Sequence, residues 1–552
     1  MKLSLKVWGA LEAGIIFFSI AVSSVFAADG PLTLTLSDQS PALLALAFLA
    51  PVGFALLAAA TGPAERVPDV ALAALLALGL SCVAYFACGF AFQFGGLGLW
   101  HPDPAYKSLN VYWSAFGPDY GRGWGMLGLH GFGLSDGAGT PAAFQLFLAQ
   151  LPMVTTATMI PLLALRRRVH ATISLLAGLL VALLIYPALG NWMWGGGWLS
   201  QLGANLDLGH GALDMGGAGP VHLAAGTLAL MAIVIFLPRR QAGDARSAPI
   251  PLPDAHLPVL GILGALLLVV GWWAVILAQP LPDWTTLSTE LTGMNLILAA
   301  GAGALLPALY TWFAAGRPDP IMVARGLAAG MIAVSAGAPF MATWAALLVG
   351  GMAGILVPIS TYFILEKLRL DDAGGVIAMH GVGGAIGLLA PAFFATGLYG
   401  AGWNAVGRAD YLGVAGQGVT GLLAAAGRQP DWPGQLTAQA TAIGASIIFP
   451  GLLAFIVFQA IHRLIRAWQP AGAELQRPAA LQEKAESVSE AGSESQSEPS
   501  AEAEVNQESE VDAESVPDAD VTLDEAGSHE YVEETGDTTD STASTDERVE
   551  ES

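Results

Sequence analysis

Two short stretches of this chain repeat one pattern. LDMGGAGPVHL places Asp214 before Gly216-Gly217 and His222, and LDDAGGVIAMH places Asp372 before Gly374-Gly375 and His380. In each, the histidine follows the acid by eight positions and stands at the mouth of an apolar run. An ionisable group inside a bilayer span is expensive, so its default reading is functional. Two such groups, introduced alike, permit an architecture in which equivalent parts of two halves come together.

The runs that follow these motifs are long enough to be membrane spans, and composition agrees. Of 552 residues, 54% are hydrophobic and only 12% charged, against about 25% charged in a soluble domain. The net charge of −23 is misleading. From Ala471 onward there are 25 acidic and 3 basic residues, which leaves residues 1–470 with 20 acids and 19 bases. Acidity therefore belongs to a tail and says nothing about a substrate. Cys82 and Cys88 both sit in an apolar run and read as small buried hydrophobes rather than a redox pair.

Residues 1–27 carry Lys2 and Lys6, an apolar stretch and Val25-Phe26-Ala27, the pattern of a cleaved signal peptide; an uncleaved first span is the alternative. A membrane domain is expected over 28–470. Eleven spans of about 20 residues are expected near 41–61, 70–95, 141–165, 170–192, 217–237, 256–279, 291–315, 321–340, 342–366, 374–398 and 437–460. Arg166–Arg168, Arg239, Arg240, Arg246, Arg317, Lys367, Arg369, Arg463 and Arg466 fall in alternate loops, and the loops 191–213 and 280–290 hold no Lys or Arg. Basic loops face the cytoplasm, so the new N-terminus lies outside and the C-terminus inside. Spans 1–5 and 6–10 can then form an inverted pair, an arrangement that sets binding sites near the midplane. Each histidine lies about two turns into its helix, roughly 9–12 Å, and the two are reached from opposite sides.

The fold class expected is thus an all-α membrane protein of eleven helices with inverted five-helix repeats, plus a disordered tail at 471–552. Such an acidic, Ser-rich segment buries too little apolar surface to offset its ordering entropy.

The two Asp–His stretches, together with Trp194-Gly195-Gly196-Gly197, resemble the signature of the ammonium transporter/Rhesus (Amt/Mep/Rh) family. That resemblance implies several site roles. His222 and His380 match the twin pore-lining histidines, and Trp272 matches the tryptophan beside them. Trp194 matches the tryptophan that caps the outer vestibule, where a cation over an indole face gains about 0.5–2 kcal/mol. Asp214 matches an acid treated as essential for recruiting the ion, although helix capping is its ordinary work. Asp372 is its inner counterpart by the count to the histidine; alignment on Leu-Asp selects Asp371 instead.

The departures are specific. The gating aromatics of the family align with Met153 and Val275, and its recruiting serine aligns with Gln279. A wider outer constriction is expected, or one supplied by another aromatic such as Phe147 or Trp273. Trp100, Trp113 and Trp124 in the 96–140 loop, and Trp192 and Trp198, read as interfacial anchors.

The resemblance implies transport of ammonium or ammonia, no catalysis, no cofactor and no nucleic-acid partner. It implies a homotrimer in the cell membrane, with a PII-type regulator as a possible partner. An ammonium sensor of low conduction is the alternative. A metal enzyme ranks last, because neither histidine span offers ligands at i, i+3 or i+4. In the tail, LDEAGSHEY at Leu523–Tyr531 resembles the family's regulatory patch only with displaced spacing. Truncation after about residue 475 is expected to leave folding and transport intact.

Overall fold

The computed structural model describes residues 41–239, 252–253 and 255–468, apart from residues 122, 136, 167 and 373. The signal-peptide assignment, Arg167, Arg240 and Arg246, and the acidic tail with its Leu523–Tyr531 fragment lie outside these described residues.

Among them are ten helices long and apolar enough to cross a membrane and one shorter apolar helix. In chain order they are α1 (Pro41–Ala60), α2 (Ala64–Leu99), α3 (Pro141–Leu165), α4 (Ala171–Met193), α5 (Ala218–Phe236), α6 (Pro258–Leu277), α7 (Thr289–Ala315), α8 (Pro320–Ser335), α9 (Thr343–Lys367), α10 (Ile377–Phe394) and α11 (Trp432–Ala467). The expected eleven are present, with shifted ends. Helix α8 stops at Ser335 rather than 340, where Gly337 to Phe340 form a turn around Pro339, which removes a backbone donor. Helix α11 overruns its expected 437–460 at both ends.

Caps explain several starts. The Thr140 hydroxyl accepts from Ala143 N–H, Ser288 accepts from Leu291 N–H, and Asp319 accepts from Met322 N–H, each satisfying a first-turn donor that the helix leaves unpaired.

The halves α1–α5 and α6–α10 meet across small residues. Along α1 and α6, Ala50 lies against Gly271, Gly53 against Gly264, and Leu57 against Gly261. The numbers rise on one helix as they fall on the other, so the helices are antiparallel. A Cβ on Gly53 would stand 2.6 Å from the Gly264 carbonyl oxygen; only the bare backbone permits this approach, the usual device of helices packed in lipid. Helices α5 and α10 meet in the same sense, Ala218 against Gly387 and Gly226 against Gly381. Within each half the pattern also repeats, for α3 packs on α1 and α5 just as α8 packs on α6 and α10. Helix α3 is the most enclosed of the long spans.

The loop between α2 and α3 carries a hairpin, β1 (Tyr112–Ser114) with β2 (Gly125–Gly128). Trp192 and Trp198 hold this hairpin rather than a lipid boundary. Trp192 is buried and its indole N–H donates to the Met126 carbonyl, and Trp198 packs on Trp192. A second, smaller hairpin, β3 (Asp410–Tyr411) with β4 (Val414–Ala415), lies between α10 and α11. Cys82 and Cys88 are free and half-buried, less enclosed than expected.

Candidate functional site

Each histidine is placed by its acid. The Asp214 carboxylate accepts from the N–H groups of Ala218 and Gly219 at 2.9 and 2.8 Å. The Asp372 carboxylate accepts from Val376 and Ile377 at 2.8 and 2.9 Å. In both cases the donors are four and five residues on, so one carboxylate seals a helix start by the same rule twice. The second glycine of each pair makes the turn, Gly217 at φ +78° and Gly375 at φ +65°, a region that L side chains avoid. This geometry decides between the two candidate acids. Asp372 is the equivalent of Asp214, while Asp371 points elsewhere and pairs with Arg168 at 3.4 Å.

Beyond each turn the chain winds as a π-helical segment, Ala218–Leu223 and Ile377–Val382, and each segment carries its histidine. Such widened turns occur frequently at functional sites. The antiparallel contact of α5 and α10 then brings the imidazoles together. Their Nδ1 atoms lie 2.9 Å apart, with ring centroids at 5.0 Å and planes within 11° of parallel. Both side chains are buried.

Trp272 packs on His222 with centroids 4.7 Å apart. Phe54 of α1 covers the pair at 4.9 Å from His380 and 5.9 Å from His222, and meets Trp272 edge-on. Sequence reasoning missed Phe54, which stands in an apolar run with nothing local to distinguish it. Among the described residues, His222 Nε2 and Trp272 Nε1 are buried with no hydrogen-bond partner. The result is an apolar box with a few polar edges.

Above α5's entrance lies a cavity of about 1220 Å³. Trp194, Asp214, Gln150 and Gln279 line it, together with Trp100, Trp403 and Arg408 from the long loops. The Trp194 indole N–H donates to the Asp214 carbonyl, fixing the ring at the wall. Trp100 was expected to be a lipid anchor; it packs on Gly196 and faces this cavity.

The cavity floor is polar at its edge and apolar below. Gln279 Nε2 donates to the Val275 carbonyl at 2.9 Å and meets Met153 Sδ at 3.4 Å. Its Oε1 accepts from Gln150 Nε2 at 2.7 Å. Met153 and Val275 are fully enclosed, and the Met153 methyl lies against Gly217. Neither expected aromatic substitute is here. Phe147 stacks on Tyr85, and Trp273 lies against Gly293 of α7. Among the described residues no group of three or more His, Cys, Asp or Glu could hold a metal ion.

The family model that matches is that of the Ammonium Transporter Family, over residues 41–471. The chain is 31% identical to the ammonium transporter Amt2 of Archaeoglobus fulgidus over 350 residues, 63% of this chain and 69% of that one. It is 33% identical over 228 residues to Amt1 of Haloferax mediterranei, 39% of this chain and 43% of that one. A putative ammonium transporter of Synechocystis is 30% identical over 49% of this chain and 61% of its own length. The chain thus spans less than two thirds of these last two relatives. Among solved structures, a sensor Amt protein superposes with a TM-score of 0.61 at 23% identity, covering 76% of this chain and 91% of that one. Candida albicans Mep2 does so at 0.60 and 20%, covering 76% and 83%. With twin acid-capped histidine helices in antiparallel halves and a matching model over most of its length, this chain belongs to the Ammonium Transporter Family.

Proposed function

We propose that this protein transports ammonium or ammonia across the cell membrane, with the His222–His380 pair lining the path. The observation that carries this reading is the stacked, buried pair, 2.9 Å from Nδ1 to Nδ1, beneath a cavity walled by Trp194 and Asp214. Moving a full charge to the bilayer centre costs several kcal/mol or more. The ion is therefore collected at the Trp194 face and gives up its proton in the vestibule near Asp214. Neutral ammonia then passes the imidazoles and Trp272.

Imidazole suits this place because one ring nitrogen donates while the other accepts. The basic-loop pattern orients the vestibule outward and the C-terminus toward the cytoplasm. The resemblance to the family supports three copies with one path each, and a PII-type protein as a regulatory partner on the cytoplasmic side.

The test is uptake and current measured together in proteoliposomes, with the wild type against His222→Ala and His380→Ala. Uptake by the wild type and its loss in both variants supports the proposal; uptake untouched by either variant overturns it. A second reading, an ammonium sensor of low conduction, is favoured by the enclosed floor at Met153 and Gln279. It predicts saturable ammonium binding with turnover near the background of empty vesicles.

A further inference from the structure

Helix α8 touches the turns before both histidines. Near its C-terminal end Ser335 lies against Gly216, where an added Cβ would stand 2.8 Å from the serine Cβ. Ten residues earlier in the chain, about 15 Å along a helix, Arg325 lies against Gly375. A Cβ on that glycine would stand 2.7 Å from the guanidinium carbon and from Nη1, and 2.9 Å from Nε. Gly216 belongs to the turn before His222, and Gly375 makes the turn before His380. The guanidinium is therefore packed at the mouth opposite the vestibule. Its turn is five residues from His380, roughly 7.5 Å of helix.

Only 1% of Arg325 is exposed. An arginine buried within a span is costly, and its default reading is functional. Two carboxylates face it, Asp372 at the start of α10 and Asp319 at the start of α8, with Arg166 as a neighbouring cation. Of the two acids, Asp372 is the buried one. Arg168 is engaged by Asp371 at 3.4 Å. The balance of charge at the Gly375 turn is thus set chiefly by Arg325 and Asp372.

The internal repeat shows what stands in the same place at the other mouth. Helix α3 packs on α5 as α8 packs on α10. At the turn before His222 the Met153 methyl occupies the position, 2.8 Å from a Cβ built on Gly217. A thioether carries no charge, so Asp214 keeps its attraction for an arriving cation. A guanidinium stays protonated in proteins, so the equivalent attraction of Asp372 is offset at any working pH. Such charges act across several ångströms where water is excluded, and an arginine beside a pore is one way to hold cations off.

We propose that Arg325 is a charge barrier at the inner end of the path and a specificity residue. It cancels the pull of Asp372, so this mouth passes neutral ammonia and draws no monovalent cation toward the imidazoles. It acts through its charge and needs no contact with the substrate. The two mouths are unlike for this reason: the outer one collects cations and the inner one does not. The inference rests on the transport reading above and adds to it the group that keeps cations out of the inner half.

The test is potassium flux in proteoliposomes of the full-length chain. Potassium is close to ammonium in size and has no proton to give up. Arg325→Met installs the side chain of the other mouth and is expected to raise potassium flux about tenfold over the wild type. Because that is a gain of flux, it does not arise from loss of folded protein. Adding Asp372→Asn to that variant removes the acid as well, and should return potassium flux to the wild-type level, which a mere packing defect would not do. Arg325→Lys keeps a charge that can be removed by raising the pH, unlike a guanidinium, and it stays testable if Arg325→Met does not fold. It is expected to exclude potassium at pH 6 and to pass about tenfold more at pH 9.5, with the wild type unchanged over that range. Potassium exclusion by folded Arg325→Met, an equal leak from the double variant, or a flat pH profile in Arg325→Lys overturns the barrier. Absence of ammonium uptake by the wild type overturns the transport reading instead.

Discussion

His222 and His380 share one hydrogen bond between like atoms, Nδ1 to Nδ1 at 2.9 Å. Two nitrogens of one kind can bond only if one carries the proton and the other does not. The rings are therefore in opposite tautomers. This predicts two distinct imidazole signatures in nitrogen-15 spectra of the labelled protein, one protonated at Nδ1 and one at Nε2. Two rings in the same tautomer would break the pairing.

The same bond makes the pair act as a unit. His222→Ala and His380→Ala should each lower uptake by roughly tenfold or more, equivalent to about 1.4 kcal/mol, and the double variant should be little worse than either single. Uptake rates of the three proteins in matched vesicles decide it. Losses that multiply would show independent roles.

The equivalence of Asp214 and Asp372, and the different position of Asp371, can be separated by stability. Asp372→Ala and Asp214→Ala each remove a carboxylate that accepts two backbone donors, and should cost about 0.5–2 kcal/mol per helix cap. Asp371→Asn weakens only a partly exposed contact with Arg168 and should cost about 0–1 kcal/mol. Thermal melting in detergent should rank them in that order.

Gly217→Ala should be harmful beyond the loss of backbone freedom. Its φ of +78° would cost an L side chain about 1–2 kcal/mol. The added Cβ would also stand 2.5 Å from Val221 Cγ2 and 2.8 Å from Met153 Cε. A lower melting temperature together with lost uptake is expected, whereas Gly301→Ala, with open space around it, should be silent in both.

Acid should destabilise the loop region through His210, which lies outside the spans. Burial lowers its pKa from 6.5 to about 4, and among the described residues neither ring nitrogen has a hydrogen-bond partner. Tyr411 packs on the ring at 4.4 Å and spends its own hydroxyl on Asp431. The folded value lies below the unfolded one, so unfolding takes up a proton between them. The stabilisation is complete above about pH 6.5 and is lost as pH falls through 4, on the order of 3 kcal/mol in all. Melting between pH 7.5 and 4 should therefore be less pH-dependent in His210→Phe than in the wild type.

What could be read from the sequence was local. Asp214 and Asp372 act on backbone donors four and five residues away, so their work is written within ten residues and the repeat exposes it. Spans, too, follow from runs of apolar residues, and only their ends moved. The chain of amides at the cavity floor could not be read in this way. Gln93, Gln150 and Gln279 are separated by 57 and 129 positions, and nothing near any one of them states that their amides meet. Phe54 was equally silent, one aromatic in an apolar helix until α6 and α10 close around it. Trp100 and Trp192 looked like lipid anchors because aromatics at span ends usually are; here a loop hairpin and a cavity claim them.

The antiparallel meeting of α5 and α10 also sets a timetable. His222 and its partner are 158 residues apart in the chain. At about 5–20 residues per second, roughly 8–30 s of synthesis separate the two. During that interval α5 carries a lone imidazole and two glycines, Gly219 and Gly226, without the helix that packs on them. The stacked pair forms only when the tenth helix arrives.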